Sequence, residues 1–162
     1  MDELVVVVDD REKLPWTFAG VPGVTTRPGR LRAGDYSVEG LEGRVALERK
    51  SLKDLVRTIS VTRDRFFGEL RLLAGYRYAA IVVEGSVEDV LSGRYDSDAS
   101  PESVLGSVAA IEVGWRVPVV WAGPRPVAQA YAALLLRRAA RTTGEAANRP
   151  PSPQKRRQWN ND

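Results

Sequence analysis

Residues Leu4-Val5-Val6-Val7-Val8 form an unbroken aliphatic run that stops abruptly at Asp9-Asp10-Arg11-Glu12. A strand with branched apolar side chains on both faces must be covered from both sides. This predicts a strand buried on both faces, within a sheet flanked by helices. The charges that end the run fall at the strand's C-terminal edge, where α/β folds place their ligand sites.

The segments that follow predict how the strand is covered. Residues 13–30 are rich in Pro and Gly and read as a loop with a short strand near 24–27. Residues 36–38 and 44–48 flank the turn Glu39-Gly40-Leu41-Glu42-Gly43 and read as a hairpin. Ser51 is placed as a helix N-cap with Asp54 three residues on, ahead of Leu52, Leu55, Val56 and Ile59 at helical spacing. A second helix is expected over 63–74, with Phe66, Phe67, Leu70 and Leu73 inward. A buried strand over 78–83, a short helix over 87–91 and a longer helix from Pro101 to about Val113 come next. Residues 117–121 read as the last strand and 126–141 as the last helix. Val127, Ala130, Tyr131, Leu134 and Leu135 share one side of that helix, and core packing accounts for that face. Leu136 and the Ala-rich remainder would permit a two-fold contact between copies. From Thr142 onward the apolar periodicity ends. The expected organisation is one α/β domain over 1–141, a mixed sheet flanked by helices, and a basic, disordered tail over 142–162.

Composition narrows the chemistry. The chain has 162 residues and is 43% apolar, enough for a core, with no run approaching the ~20 apolar residues of a membrane helix. The acidic start, Met1-Asp2-Glu3, does not read as a signal peptide. There is no cysteine, so no disulfide framework or thiolate zinc site, which fits a reducing interior. There is no histidine either, which removes His triads, His bases and His metal ligands together. The net charge of +3 is matched by residues 149–162 alone, where Arg149, Lys155, Arg156 and Arg157 stand against Asp162, so residues 1–148 balance. Within the rest, residues 27–77 hold twelve Lys or Arg against seven Asp or Glu, a basic neighbourhood suited to a phosphate backbone. Trp16, Trp115 and Trp121 read as core or subunit-contact aromatics. Trp159, after Lys155-Arg156-Arg157, is the one placed to touch nucleic acid or a partner.

Inside that basic stretch lies Gly34-Asp35-Tyr36, followed by Glu48-Arg49-Lys50 and Asp54. Asp35 begins one hairpin strand and Glu48 ends the other, so the two carboxylates converge, near Asp9 and Glu12. Four acids in one place repel unless a cation or raised pKa values relieve them. Oxygen ligands suit Mg²⁺, and Lys50 lies on the same strand face as Glu48 because side chains alternate. This is a layout for metal-assisted phosphodiester hydrolysis. Taken pairwise the signals are weak, since Glu48 and Lys50 could equally be a surface ion pair.

Val8-Asp9-Asp10-Arg11-Glu12, then Gly34-Asp35-Tyr36, then Glu48-Arg49-Lys50-Ser51 with Asp54-Leu55, resembles the nuclease domain of the XPF family of structure-specific endonucleases. Arg65-Phe66 resembles a further element of that family. The resemblance implies a restriction-endonuclease-like fold of the PD-(D/E)XK type and DNA cleavage near branches, flaps or single-strand/double-strand junctions, with Mg²⁺ or substituting Mn²⁺. It implies Asp35 and Glu48 as central metal ligands, with Glu12 and Asp9 as upstream acids that extend the metal set. Arg49 would offer its carbonyl and a structural or phosphate contact, Lys50 would be the catalytic lysine, and Asp54 would support it. Arg11, Lys53, Arg63 and Arg65 are the cations expected to meet DNA, with Arg11 also pairing with a carboxylate. The family's nuclease domains pair, so a homodimer is expected. Helix-hairpin-helix modules do not fit this length, which points to a stand-alone prokaryotic or phage form. The rival reading is a catalytically silent DNA-binding scaffold of the same fold. Such partners usually lose the acids or the lysine, and here all are present. A sequence-specific restriction-type enzyme would need a base-reading element, for which there is no clear candidate.

Overall fold

The computed structural model describes residues 3–148. One six-stranded sheet runs through the molecule in the order β2-β1-β3-β4-β5-β6. Its strands are β1 (Leu4–Asp9), β2 (Val24–Gly29), β3 (Tyr36–Val38), β4 (Val45–Ser51), β5 (Tyr78–Glu84) and β6 (Val119–Trp121). β3 is antiparallel to both neighbours, and the other pairings are parallel. The C-terminal ends of β1, β4 and β5 therefore share one edge, and β3 starts from it. As the aliphatic run requires, Val6 and Val7 are buried on opposite faces of β1. β2 is an edge strand, which is where its Pro28, lacking an N–H, can sit.

One face is covered by α1 (Leu52–Ser60), α2 (Arg63–Ala74), α3 (Val87–Leu91) and α4 (Pro101–Ala110). Leu55, Leu70, Ile81 and Val108 are among the side chains of that core. Three of the four helices have Ser caps: Ser51, Ser86 and Ser100 each accept an N–H from three residues on. The other face is covered by α5 (Arg125–Asn148) and by the loop bearing Trp16 and Phe18. There Trp16 stacks on Tyr36 at 4.7 Å between centroids, with Phe18 edge-on to both.

Four expectations shift. The last strand begins at Val119, because Pro118 has no N–H and serves the ladder only as acceptor, from Ile81 N–H. The helix from Pro101 gives way at Ile111 to a π-helical turn, Ile111–Trp115, closed by Arg116 in the left-handed region at φ 57°. The last helix continues to Asn148, seven residues past the expected end, with Thr143 buried against the body of the protein. Its orientation is also reversed. Ala128, Ala132, Ala133, Leu136 and Ala139 face the sheet, while Val127 (54%), Tyr131 (43%) and Leu134 (60%) are exposed. The bulky Trp16, Phe18 and Tyr36 already fill that layer, so the helix seats through its small residues. The expectations for residues 149–162, Trp159 included, lie outside the described residues.

Candidate active site

The shared edge of β1, β4 and β5 opens into a cleft of about 570 Å³ lined by Asp9, Arg11, Glu12, Asp35, Glu48, Arg49, Asp54 and Arg65, among others. A second mouth adds Lys50, Arg57 and Thr62 to Glu12, Asp35, Glu48 and Arg65. The structure thus brings together every acid singled out from the sequence, and Lys50 with them.

Asp35 is delivered by a tightly held loop. Gly34 has φ 76°, and a Cβ there would lie 3.0 Å from Ala46 Cβ and Leu47 O, so no other residue fits without displacement. Asp35 N–H donates to Leu47 O and its own carbonyl accepts from Asp9 N–H, both at 2.8 Å. Its Oδ2 accepts the Arg49 N–H at 2.7 Å. Burial pushes the Asp35 carboxyl up to about 7; the Arg49 N–H and Lys50 oppose the rise, while Glu12 and Asp9 reinforce it. Glu48 is pushed up to about 8, first by burial, then by Asp35 and Glu69, against Lys50. Lys50 Nζ stands 3.4 Å from Glu48 Oε1 and 5.3 Å over the Phe66 ring. The two carboxylates are thus half-buried, mutually repelling and short of positive charge. Among the described residues no group of three or more acidic side chains is arranged to enclose a metal.

The remaining sequence candidates take other places. Asp9 Oδ1 accepts the Arg11 backbone N–H (2.9 Å) and Nε–H (2.8 Å). Its Oδ2 accepts Arg11 Nη2–H (3.0 Å) and Leu31 N–H (2.8 Å). Burial opposes the Asp9 charge, yet these donors hold its pKa down to about 2. With four donors on two oxygens, Asp9 secures the loop that carries Asp35, and its lone pairs are committed to that task. Arg11 also donates to Leu31 O at 2.7 Å while remaining 58% exposed. Glu12 Oε1 accepts Leu14 N–H and lies 3.8 Å from Arg49. Asp54 stands in the first turn of α1, donating its N–H to the cap Ser51 Oγ and accepting from that hydroxyl at 2.7 Å. The Arg49 side chain grips Glu84, 2.7 Å from Nε and 3.1 Å from Nη2. Arg65 lines both mouths, whereas Lys53 lines neither and Arg63 lies over Phe67 beside a separate apolar hollow.

Two acids were not read from the sequence. Glu84, at the end of β5, accepts from Arg49, Trp16 Nε1 and Arg125, and its pKa is held low by the first two against burial. The signal was present, since a lone charge ends the apolar strand before Gly85. Glu69 enters the cleft one turn beyond Arg65 on α2; only helical spacing links it to that residue.

Comparison with known proteins follows the same lines. A family model of the ERCC4 domain matches residues 8–133, a span that includes all the cleft acids and Lys50. Among similar solved structures is XPF from Aeropyrum pernix, 24% identical, with a TM-score of 0.62 over 86% of this chain and 65% of that one. Another is XPF from Aeropyrum pernix in complex with DNA, 24% identical, with a TM-score of 0.58 over 89% of this chain and 66% of that one. The chain thus spans just under two thirds of the solved XPF chains. No curated protein matches it. The fold is the restriction-endonuclease-like fold expected from the motifs. The chain belongs to the ERCC4 domain family.

Proposed function

We propose that the protein is a divalent-metal-dependent DNA endonuclease acting near branched, flap or forked DNA. The observation that carries the proposal is the pairing of Asp35 with Glu48 in a basic-rimmed cleft, with Lys50 3.4 Å from Glu48. Membership of the ERCC4 domain family supports it, as does the likeness to XPF from Aeropyrum pernix in complex with DNA.

Asp35 and Glu48 are the residues that would hold Mg²⁺, with Mn²⁺ as substitute. Two hard carboxylates fit this ion, which keeps several waters and takes further oxygens from substrate phosphate instead of a full protein cage. Such a site needs no third acid, and a cation would offset the burial and the neighbouring carboxylates that together raise both carboxyl pKa values. When bound, the ion supplies Lewis-acid chemistry to the phosphoryl group. Lys50 holds an ammonium beside that group and stabilises charge developing in the transition state. Arg65 and Arg57 at the cleft mouth bind flanking phosphates, with Arg11 at the outer rim. Asp9, Arg49 and Asp54 position these groups: the first holds the Asp35 loop, the second ties β4 to it, and the third holds the Ser51 cap of α1.

A second copy of the chain is proposed to cover α5. Val127, Tyr131 and Leu134 form an exposed apolar stripe there at helical spacing. The silent-scaffold reading has no observation in its favour, since the acids and Lys50 are all in place. The deciding experiment compares cleavage of an end-labelled forked DNA and a linear duplex of the same sequence, with Mg²⁺ and in parallel with Mn²⁺. Preferential cutting of the fork near its junction is expected. Equal cutting of both would remove the branch preference, and no cutting with either metal would favour the scaffold.

A further inference from the structure

Beside the cleft lies a separate apolar slot of about 180 Å³, lined by Ile59, Arg63, Phe66, Phe67, Ile111 and Trp115. Resting on the reading of the cleft as a DNA-cutting site, we infer that this slot receives an unpaired base next to the scissile phosphate.

Its walls are flat. Phe67 stacks on Trp115 at 5.9 Å between centroids with 25° between planes, and the Arg63 guanidinium lies 5.3 Å over Phe67. Stacking against aromatic rings and guanidinium planes is how proteins hold splayed-out bases without reading sequence. The two rings are only partly buried. Val61 (74%) and Val113 (80%), the most exposed large apolar side chains described, flank the lining segments in sequence.

The chain is also shaped locally to present Trp115. It sits at the end of the π-helical turn, and Arg116 follows in a left-handed conformation costly for a residue with a Cβ. Wide helical turns of this kind concentrate at functional sites.

Position and charge select a nucleotide over an aliphatic ligand. Phe66 separates the two sites, lining the slot while carrying Lys50 Nζ over its ring. The turn before α2 borders both, through Thr62 on the cleft side and Arg63 on the slot side. Arg63 is the slot's one charged lining residue, and Arg57 and Arg65 stand at the adjoining mouth. A phosphate backbone leaving the cleft would pass these cations with its base turned into the slot.

The test uses a forked DNA with 2-aminopurine as its first unpaired base, and a linear duplex with the same base paired, both in EDTA. Binding of the wild-type protein to the fork is expected to quench the probe by stacking. Trp115→Leu and Phe67→Leu should abolish the quench and weaken fork binding about tenfold, the scale of base–aromatic stacking, leaving duplex binding unchanged. Arg63→Glu, an exposed position that folding tolerates, should weaken fork binding in the same direction. A wild-type protein that cuts forked DNA yet leaves the probe unquenched overturns the slot alone. Failure to bind either DNA overturns the nuclease reading and the slot with it. If folded Trp115→Leu keeps full fork binding, the inference also falls. A change only in its light-scattering mass would then identify the slot as a contact between copies.

Discussion

The main-chain N–H of Arg49 donates to Asp35 Oδ2 at 2.7 Å, fastening the strand that carries Glu48 to the loop that carries its partner acid. Burial and mutual repulsion make both carboxylates unfavourable as bare anions. Asp35→Asn and Glu48→Gln keep the shapes and remove the repulsion. Both are expected to raise the melting temperature of the metal-free protein at pH 8 and to lose the stabilisation that Mn²⁺ gives the wild type. Thermal shift with and without MnCl₂ checks this, and a full Mn²⁺ response in both variants would contradict the ligand assignment.

The same pair sets the pH dependence. In the unfolded chain these acids titrate near pH 4, and in the folded protein at about 7 and about 8. Between those values the native state binds more protons than the unfolded state, so metal-free stability falls as pH rises. Melting temperature in EDTA should therefore decline from pH 5 to pH 8. The stabilisation by Mn²⁺ should be largest at pH 8 and small at pH 5, where it competes with protons. A metal-free stability that climbs across this range would contradict the raised pKa values.

Asp9 shifts the other way. Its pKa of about 2 means its contribution is present above the ordinary carboxylate pKa near pH 4 and is lost as pH falls through about 2. Asp9→Ala leaves the buried Leu31 N–H without its acceptor, at a cost of about 1–3 kcal/mol. Urea unfolding at pH 7 should show that loss, while the Mn²⁺ shift survives in reduced form. Complete loss of the Mn²⁺ shift in a folded Asp9→Ala protein would return Asp9 to the metal ligands.

Lys50 is placed for chemistry more than for folding. Lys50→Met keeps the stem over Phe66 and removes the ammonium. Cleavage should fall about 10²–10³-fold, the usual cost of one group that stabilises transition-state charge, with the Mn²⁺ thermal shift retained. A variant that cuts normally would make Glu48–Lys50 an ordinary ion pair.

Much of the fold was legible because the apolar runs are long and bounded by clear punctuation. The Leu4–Val8 run demanded cover on both faces, and Ser51 marked the start of α1 at the residue where the structure caps it. The convergence of Asp35, Glu48, Glu12 and Lys50 was readable because an antiparallel hairpin sets the start of β3 beside the end of β4, at the edge where β1 also ends. Less legible was what depends on crowding across long sequence distances. The first half of helix α5 has apolar residues on more than one side, so periodicity could not choose its face; the aromatics beneath it did, by favouring the side made mostly of alanines. Asp9 reads as one more acid until the Leu31 N–H, 22 residues away, is seen on its Oδ2. Glu84 gains its role only when β5 pairs beside β4 and meets the Arg49 side chain.

The most direct test of the nuclease reading is cleavage of an end-labelled forked DNA in Mg²⁺, with EDTA, Asp35→Asn and Glu48→Gln as the comparison arms. The wild-type protein should cut, EDTA should stop it, and each variant should fall by at least ~10²-fold, since even changes behind metal ligands cost 10–100-fold. Cutting that persists in EDTA, or at wild-type rate in both variants, would contradict it.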